Sequence, residues 1–291
     1  MCYQGLLQRF AIAFSKHGTF YNGLVAIIAG LVANVLVDNF GFNAPYKAAM
    51  CLSTMTAMVI HTTWSENYGE QQIKHEIRLG RVLLDGCNAL WSDSSILVLG
   101  AAQTFFECSM YTFVLLYIPV IESAAIELGG NDSEKTLPLG YLFSTLMFAV
   151  MLGSLAFQAI DRQATSSSPN RFFRQFTKDR LLALALGLAS SAFAAMAYYE
   201  RSSLSLLALA YHVFEFTTGL YYPSISSLKA ESIPEETRAA VMTLLRIPMN
   251  VGVGIIMWHV DSLSTSMMFA ICSVMAALGC SMVMLKYHHC K

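Results

Sequence analysis

Charge is scarce in this sequence: Asp, Glu, Lys and Arg make up 13% of its 291 residues, while 55% are hydrophobic. A water-soluble domain carries roughly a quarter of its residues charged, so an ordinary soluble fold is excluded. Acidic and basic residues nearly cancel, at a formal net charge of −1, which leaves no basic excess to hold nucleic acid. None of the seven cysteines forms a CxxC pair or stands at metal-ligand spacing from a histidine, and those inside apolar runs are expected to be small buried hydrophobes. No GxSxG, HExxH or Walker signature occurs, so neither an enzyme nor a cofactor is expected. The first sixteen residues mix Gln4, Gln8, Arg9 and Lys16 with apolar ones and lack the apolar core and small-residue cleavage site of a secretory leader.

What is present is a series of long apolar runs. A helix needs roughly 20 mostly apolar residues to cross the hydrocarbon of a bilayer. Eight stretches meet that need, at 20–38, 44–63, 95–120, 137–160, 179–199, 203–226, 238–259 and 264–285. None alternates with period two, which argues against a barrel. The expectation is an all-α integral membrane protein whose surroundings are the lipid bilayer. Cytoplasmic loops concentrate Lys and Arg. With both termini inside, fourteen of the eighteen fall on the cytoplasmic side, Lys47, Lys135 and Arg201 fall outside, and Arg246 remains within a span. The loop 121–136 holds a single Asn-x-Ser sequon at Asn131, a glycosylation candidate if that loop is exterior. Between the second and third spans, Ile73, Ile77, Gly80, Leu84, Cys87 and Trp91 recur at spacings of three and four, which predicts an amphipathic helix along the cytoplasmic interface.

The third and sixth spans share a Phe-Glu pair and a downstream proline, with Glu107 and Glu215 separated by 108 residues. Each lies twelve residues into its span, about 18 Å at the rise of an α-helix, and therefore near the midplane. Three spans separate the two starts, so the spans enter from opposite faces, as in a three-plus-three inverted repeat. The expected division is 1–63 as two helices of an N-terminal half, 64–94 as linker and 95–291 as a six-helix half.

An ionised side chain at mid-span costs roughly 2.5–3.5 kcal/mol even on the lenient insertion scale, so these charges need partners or a function. Arg246 is the only Lys or Arg more than about one turn inside an assigned span, the others lying at span ends, and Glu107 and Glu215 are expected to face it. Its planar fork of donors suits a tetrahedral oxyanion. Gln103, Tyr111 and Asn250 are polar positions on the same helices and complete the candidate translocation site. The bland alternatives are a buried ion pair that fixes helix register and an arginine that snorkels to the cytoplasmic face.

Four segments, WSENYG at 64–69, LGAAQTFFE at 99–107, GLYYPSISSLKAESIPEETRAAVMTLLRIP at 219–248 and MFAICSVMAAL at 268–278, resemble the molybdate-anion transporter branch of the major facilitator superfamily. The resemblance runs in order from about Phe20 to Tyr287. It implies a secondary transporter that takes up molybdate, a small inorganic oxyanion, across the cell membrane or an internal one by alternating access. Members of that branch have twelve spans in two six-helix halves, and the eight seen here resemble the fifth to the twelfth. A chain lacking the first four helices has lost most of one cavity wall. The alternative expectation is therefore a non-transporting regulator or scaffold associated with a full-length relative. A carrier of neutral sugars or drugs is a third reading, whose cavity would have no need of the arginine.

Overall fold

The computed structural model describes residues 2–64, 79–129, 138–164 and 175–288, and every regular element among them is helical. The helices are α1 (Cys2–Phe40), α2 (Ala44–Thr63), α3 (Leu79–Ser92), α4 (Ser94–Gly129), α5 (Leu139–Ala164), α6 (Lys178–Tyr199), α7 (Leu204–Ser232), α8 (Arg238–His259) and α9 (Thr265–His288), with a 3-10 turn at Glu235–Thr237. Eight of the nine correspond to the eight expected spans.

Six of these helices, α1, α4, α5, α6, α8 and α9, are both long and apolar enough to cross a membrane. The other two are long enough but more polar, for different reasons. In α2 the polarity comes largely from Ser and Thr, and the hydroxyls of Thr54, Thr56, Thr62 and Thr63 donate back to carbonyls of the preceding turn. That local bonding satisfies those four hydroxyls at an outward-facing surface, and α2 buries none of its residues. In α7 the polar residues Glu215, Thr217, Thr218, Ser224 and Lys229 are all buried. Neighbours α4, α5 and α6 surround this helix, so its polar groups meet protein and not acyl chains.

Lipid tails are as apolar as leucine, so close backbone approach and side-chain interlock hold such a bundle together. The α5–α7 crossing shows the approach: a methyl group on Gly219 would overlap the Val150 carbonyl oxygen, and one on Gly153 that of Phe216. Gly30 and Gly140 bring α1 and α5 together in the same way, secured by Ser144 Oγ donating to the Ile27 carbonyl at 2.9 Å. One core joins α4, α5, α6, α7 and α9. Helix α8 contributes only the partly buried Ile256 against it, and is held to α4 and α3 by a small cluster of Ile96, Ile233, Val241 and Leu245.

Helix α3 differs from the sequence expectation in which face it buries. Ile73 and Ile77 lie outside the described residues, and Leu84 and Trp91 are exposed. The buried face is Gly86 with the partly buried Ala89 and Leu90, and Gly86 packs on Ala240 of α8. Small residues win this face because α8 must come close. The large ones are left on the outer side, where tryptophan suits a membrane interface.

Within α4–α9 the neighbouring pairs are α4–α7, α4–α8, α4–α9, α5–α7, α6–α7 and α6–α9. Exchanging α4 with α7, α5 with α8 and α6 with α9 maps this set onto itself. The ring contacts follow the same exchange at the 108-residue offset. Phe106 stacks on Tyr221 at 3.8 Å, its counterpart pair Phe214–Phe113 lies at 4.8 Å, and Phe106 and Phe214 meet each other at 5.9 Å.

Candidate functional site

Three helices carry the charged and polar groups of the candidate site. Helix α4 brings Gln103, Glu107 and Tyr111, one turn apart on one face. Helix α7 brings Glu215, Tyr222 and Lys229 at intervals of seven, two turns each, together with Tyr221. Helix α8 brings Arg246 and Asn250, one turn apart.

Glu107 is the hub. Gln103 Nε2 donates to Glu107 Oε2 at 3.1 Å, and the Tyr221 hydroxyl donates to Glu107 Oε1 at 3.4 Å. The Tyr221 ring lies flat on Phe106, the neighbour of Glu107 in the chain, so aromatic stacking aims the hydroxyl. On its other side Gln103 accepts, through Oε1, a hydrogen bond from the Lys229 ammonium. The result is one chain of contacts, Lys229 to Gln103 to Glu107 to Tyr221, in which lysine and carboxylate are joined through an amide. Lys229 is only 5% exposed. It lies within electrostatic range of Glu107 and of Arg246.

Glu215 has a different setting although it occupies the matching position of the repeat pattern. Subtracting 108 from Tyr221 gives Phe113, which has no hydroxyl to offer, and adding 108 to Gln103 gives Tyr211, which donates to the Tyr117 carbonyl at 3.3 Å. Among the described residues no hydrogen bond reaches the Glu215 carboxylate, which is buried and interacts electrostatically with Tyr117 and Tyr222. Tyr222 is the link between the two acids, since it lies in range of Glu107, Tyr111 and Glu215 together. Its hydroxyl also contacts Met110 Sδ at 3.1 Å.

Arg246 does not pair with either glutamate. Its side chain is exposed on α8, as is that of Asn250, and the two ion pairs among the described residues are Lys178–Glu231 and Arg238–Glu235. Tyr111, 45% exposed, lines a cavity of about 310 Å³ between α4 and α8 with Cys108, Thr112 and Val253. By helical spacing Arg246 and Asn250 continue the α8 wall of that cavity. A larger cavity of about 700 Å³ lies between α1 and α5, lined in part by Asn34, Asp38, Glu122 and Tyr141, and contains none of the expected site residues. Asn131 falls outside the described residues.

Sequence reasoning missed Lys229 and the two tyrosines. It ended the sixth span at 226 and counted Lys229 among the cytoplasmic charges, whereas α7 continues through Pro223 to Ser232. A signal was available: Lys229 follows Glu215 by fourteen residues, close to four full turns, so both share a face. That spacing is about 21 Å along the axis, too far for Glu215 to neutralise Lys229. Lys229 therefore has one carboxylate, Glu107, within electrostatic range, together with the like charge of the exposed Arg246. Such a set can hold an anion.

A family described as sugar transporters with twelve transmembrane segments matches residues 5–210. Among curated proteins, the chain is 29% identical over 265 residues to the molybdate-anion transporter of Xenopus laevis, covering 89% of this chain and 54% of that one. It is 31% identical over 263 residues to that of Takifugu rubripes, covering 81% and 50%. The match to the molybdate-anion transporter of Danio rerio is 31% over 265 residues, covering 82% and 50%. The chain thus spans about half the length of the curated relatives it matches.

Proposed function

This chain belongs to the major facilitator family of twelve-span transporters, and from that premise we propose that it acts as a secondary carrier moving molybdate or a similar oxyanion by alternating access. One observation carries the choice of solute: the buried ammonium of Lys229 has the guanidinium of Arg246 and a single carboxylate, Glu107, within electrostatic range. A neutral sugar is held by uncharged donors and acceptors and gives nothing back for an ammonium kept at a bundle interior. A doubly charged tetrahedral anion does. The names of the curated relatives favour the same solute, while the family description names sugars.

The translocation site is Arg246, Glu107, Glu215, Gln103, Tyr111 and Asn250. Arg246 and Asn250 receive the anion on the exposed wall of α8, and Gln103 and Glu107 set the charge behind it. Residues 95–291 act as an inverted repeat, supported by the neighbour set that survives exchange of its halves. Both termini are cytoplasmic, supported by the distribution of Lys and Arg, and the membrane is the cell membrane or an internal one.

The test is molybdenum accumulation, read by mass spectrometry, in cells expressing the wild type, Arg246→Ala or an empty vector. Accumulation above vector by the wild type and not by Arg246→Ala is expected. Equal accumulation by both would remove Arg246 from the mechanism, and uptake of glucose that molybdate fails to inhibit would favour the sugar class. A non-transporting partner of a full-length relative is the alternative, motivated by the half-length match. Co-purification with that relative, without uptake by purified chain in liposomes, would establish it.

A further inference from the structure

We propose that Lys229 is a second cationic contact of the oxyanion, and that the bound anion competes with Glu107 for its charge. This rests on the oxyanion reading above and adds a residue to it. A lysine near the end of a membrane helix ordinarily extends its chain outward, leaving the ammonium in water. Lys229 does the reverse. The Cα–Cβ bonds of a helix tilt toward its N-terminus, which for Lys229 is toward the body of the bundle, and the ammonium ends on Gln103 Oε1 with 5% of the residue exposed.

The ammonium is therefore desolvated, yet among the described residues it forms no ion pair. Its direct acceptor is a neutral amide. The nearest carboxylate, Glu107, is reached only through that amide, whose Nε2 lies 3.1 Å from Glu107 Oε2. Glu107 in turn is shared with the Tyr221 hydroxyl. The second charge acting on Lys229, that of Arg246, is of the same sign. A buried ammonium with no ion pair, a like charge in range and one carboxylate reached through an amide is under-neutralised, and in a medium of low dielectric that deficit favours an incoming anion.

The one-sidedness of the arrangement supports a ligand over a mere structural tie. At the 108-residue offset Lys229 corresponds to Ile121 and Gln103 to Tyr211, so the other half of the repeat packs the same helix pair with no charge at all. The bundle does not need Lys229 in order to join α7 to α4, because Ile121 is buried in the core at the matching place.

The proposal is tested by calorimetric titration of the detergent-purified chain with sodium molybdate, sodium sulfate and glucose. The wild type is compared with Lys229→Met, Lys229→Arg and Glu107→Gln, and each protein is first shown to be monodisperse by gel filtration. Molybdate binding is expected to weaken at least about tenfold, a loss of about 1.4 kcal/mol, in Lys229→Met, and by less in Lys229→Arg, which keeps the charge. Glu107→Gln removes the competitor and is expected to bind molybdate more tightly than the wild type. Unchanged affinity in Lys229→Met, or weaker binding in Glu107→Gln, overturns the proposal while leaving the oxyanion reading in place. A wild type that binds glucose but neither anion overturns both. Should Lys229→Met fail to fold, Glu107→Gln decides: tighter binding supports the competition and weaker binding refutes it.

Discussion

Glu107 and Glu215 begin equal in the sequence and end unequal in the molecule. The first is held by an amide and a phenol, the second is buried without a hydrogen bond among the described residues. Hydrogen bonds to a charged group contribute more than neutral ones, while a buried group left without a partner costs about 1–3 kcal/mol. Tyr221→Phe gives Glu107 the poorer environment that Phe113 already provides near the other half. It is expected to lower stability by about 1 kcal/mol, seen as a lower unfolding midpoint in detergent, and to reduce molybdate uptake several-fold. Glu215→Gln should leave that midpoint unchanged or raised, since the amide removes an unsupported charge from mid-helix. A clear drop would mean that Glu215 has a stabilising partner in the working protein.

At the level of whole helices, the least apolar long helices are the outermost one, α2, and the central one, α7. Hydropathy alone therefore sees six helices apolar enough to cross; packing accounts for the polarity of α7, and local threonine hydrogen bonds for much of that of α2. The α5–α7 crossing depends on Gly153 and Gly219, because backbone lies where any side chain would start. Gly219→Leu should abolish the monodisperse peak on gel filtration. Gly254→Ala should keep it, since nothing lies within 4 Å of a methyl group placed there. If Gly219→Leu remained folded, the described α5–α7 interface would be wrong. The α3 result follows the same logic: periodicity located the helix, but the demand of α8 for close approach chose Gly86 over the larger residues.

Across the whole molecule, the proposed orientation puts the α6–α7 and α8–α9 turns outside and the start of α6 inside. With the seven native cysteines replaced, single cysteines at Ser202 and Ser262 should react with a membrane-impermeant maleimide on intact cells. One at Gln175 should react only after permeabilisation. Reaction at Gln175 alone on intact cells would invert the topology. The sequence by itself determined that the protein is helical and membrane-embedded, and where its long apolar runs lie, because lipid leaves the backbone few alternatives. It also marked Glu107, Glu215 and Arg246, because charge within an apolar run stands out without any knowledge of neighbours. Only the tertiary structure decided that α7 runs on past Pro223 to carry a buried lysine, that Lys229 lies in range of Arg246 and Glu107, and that the two acids have different surroundings. Those outcomes depend on which side chains from other helices fill the space around each charge, and local hydropathy holds no record of that.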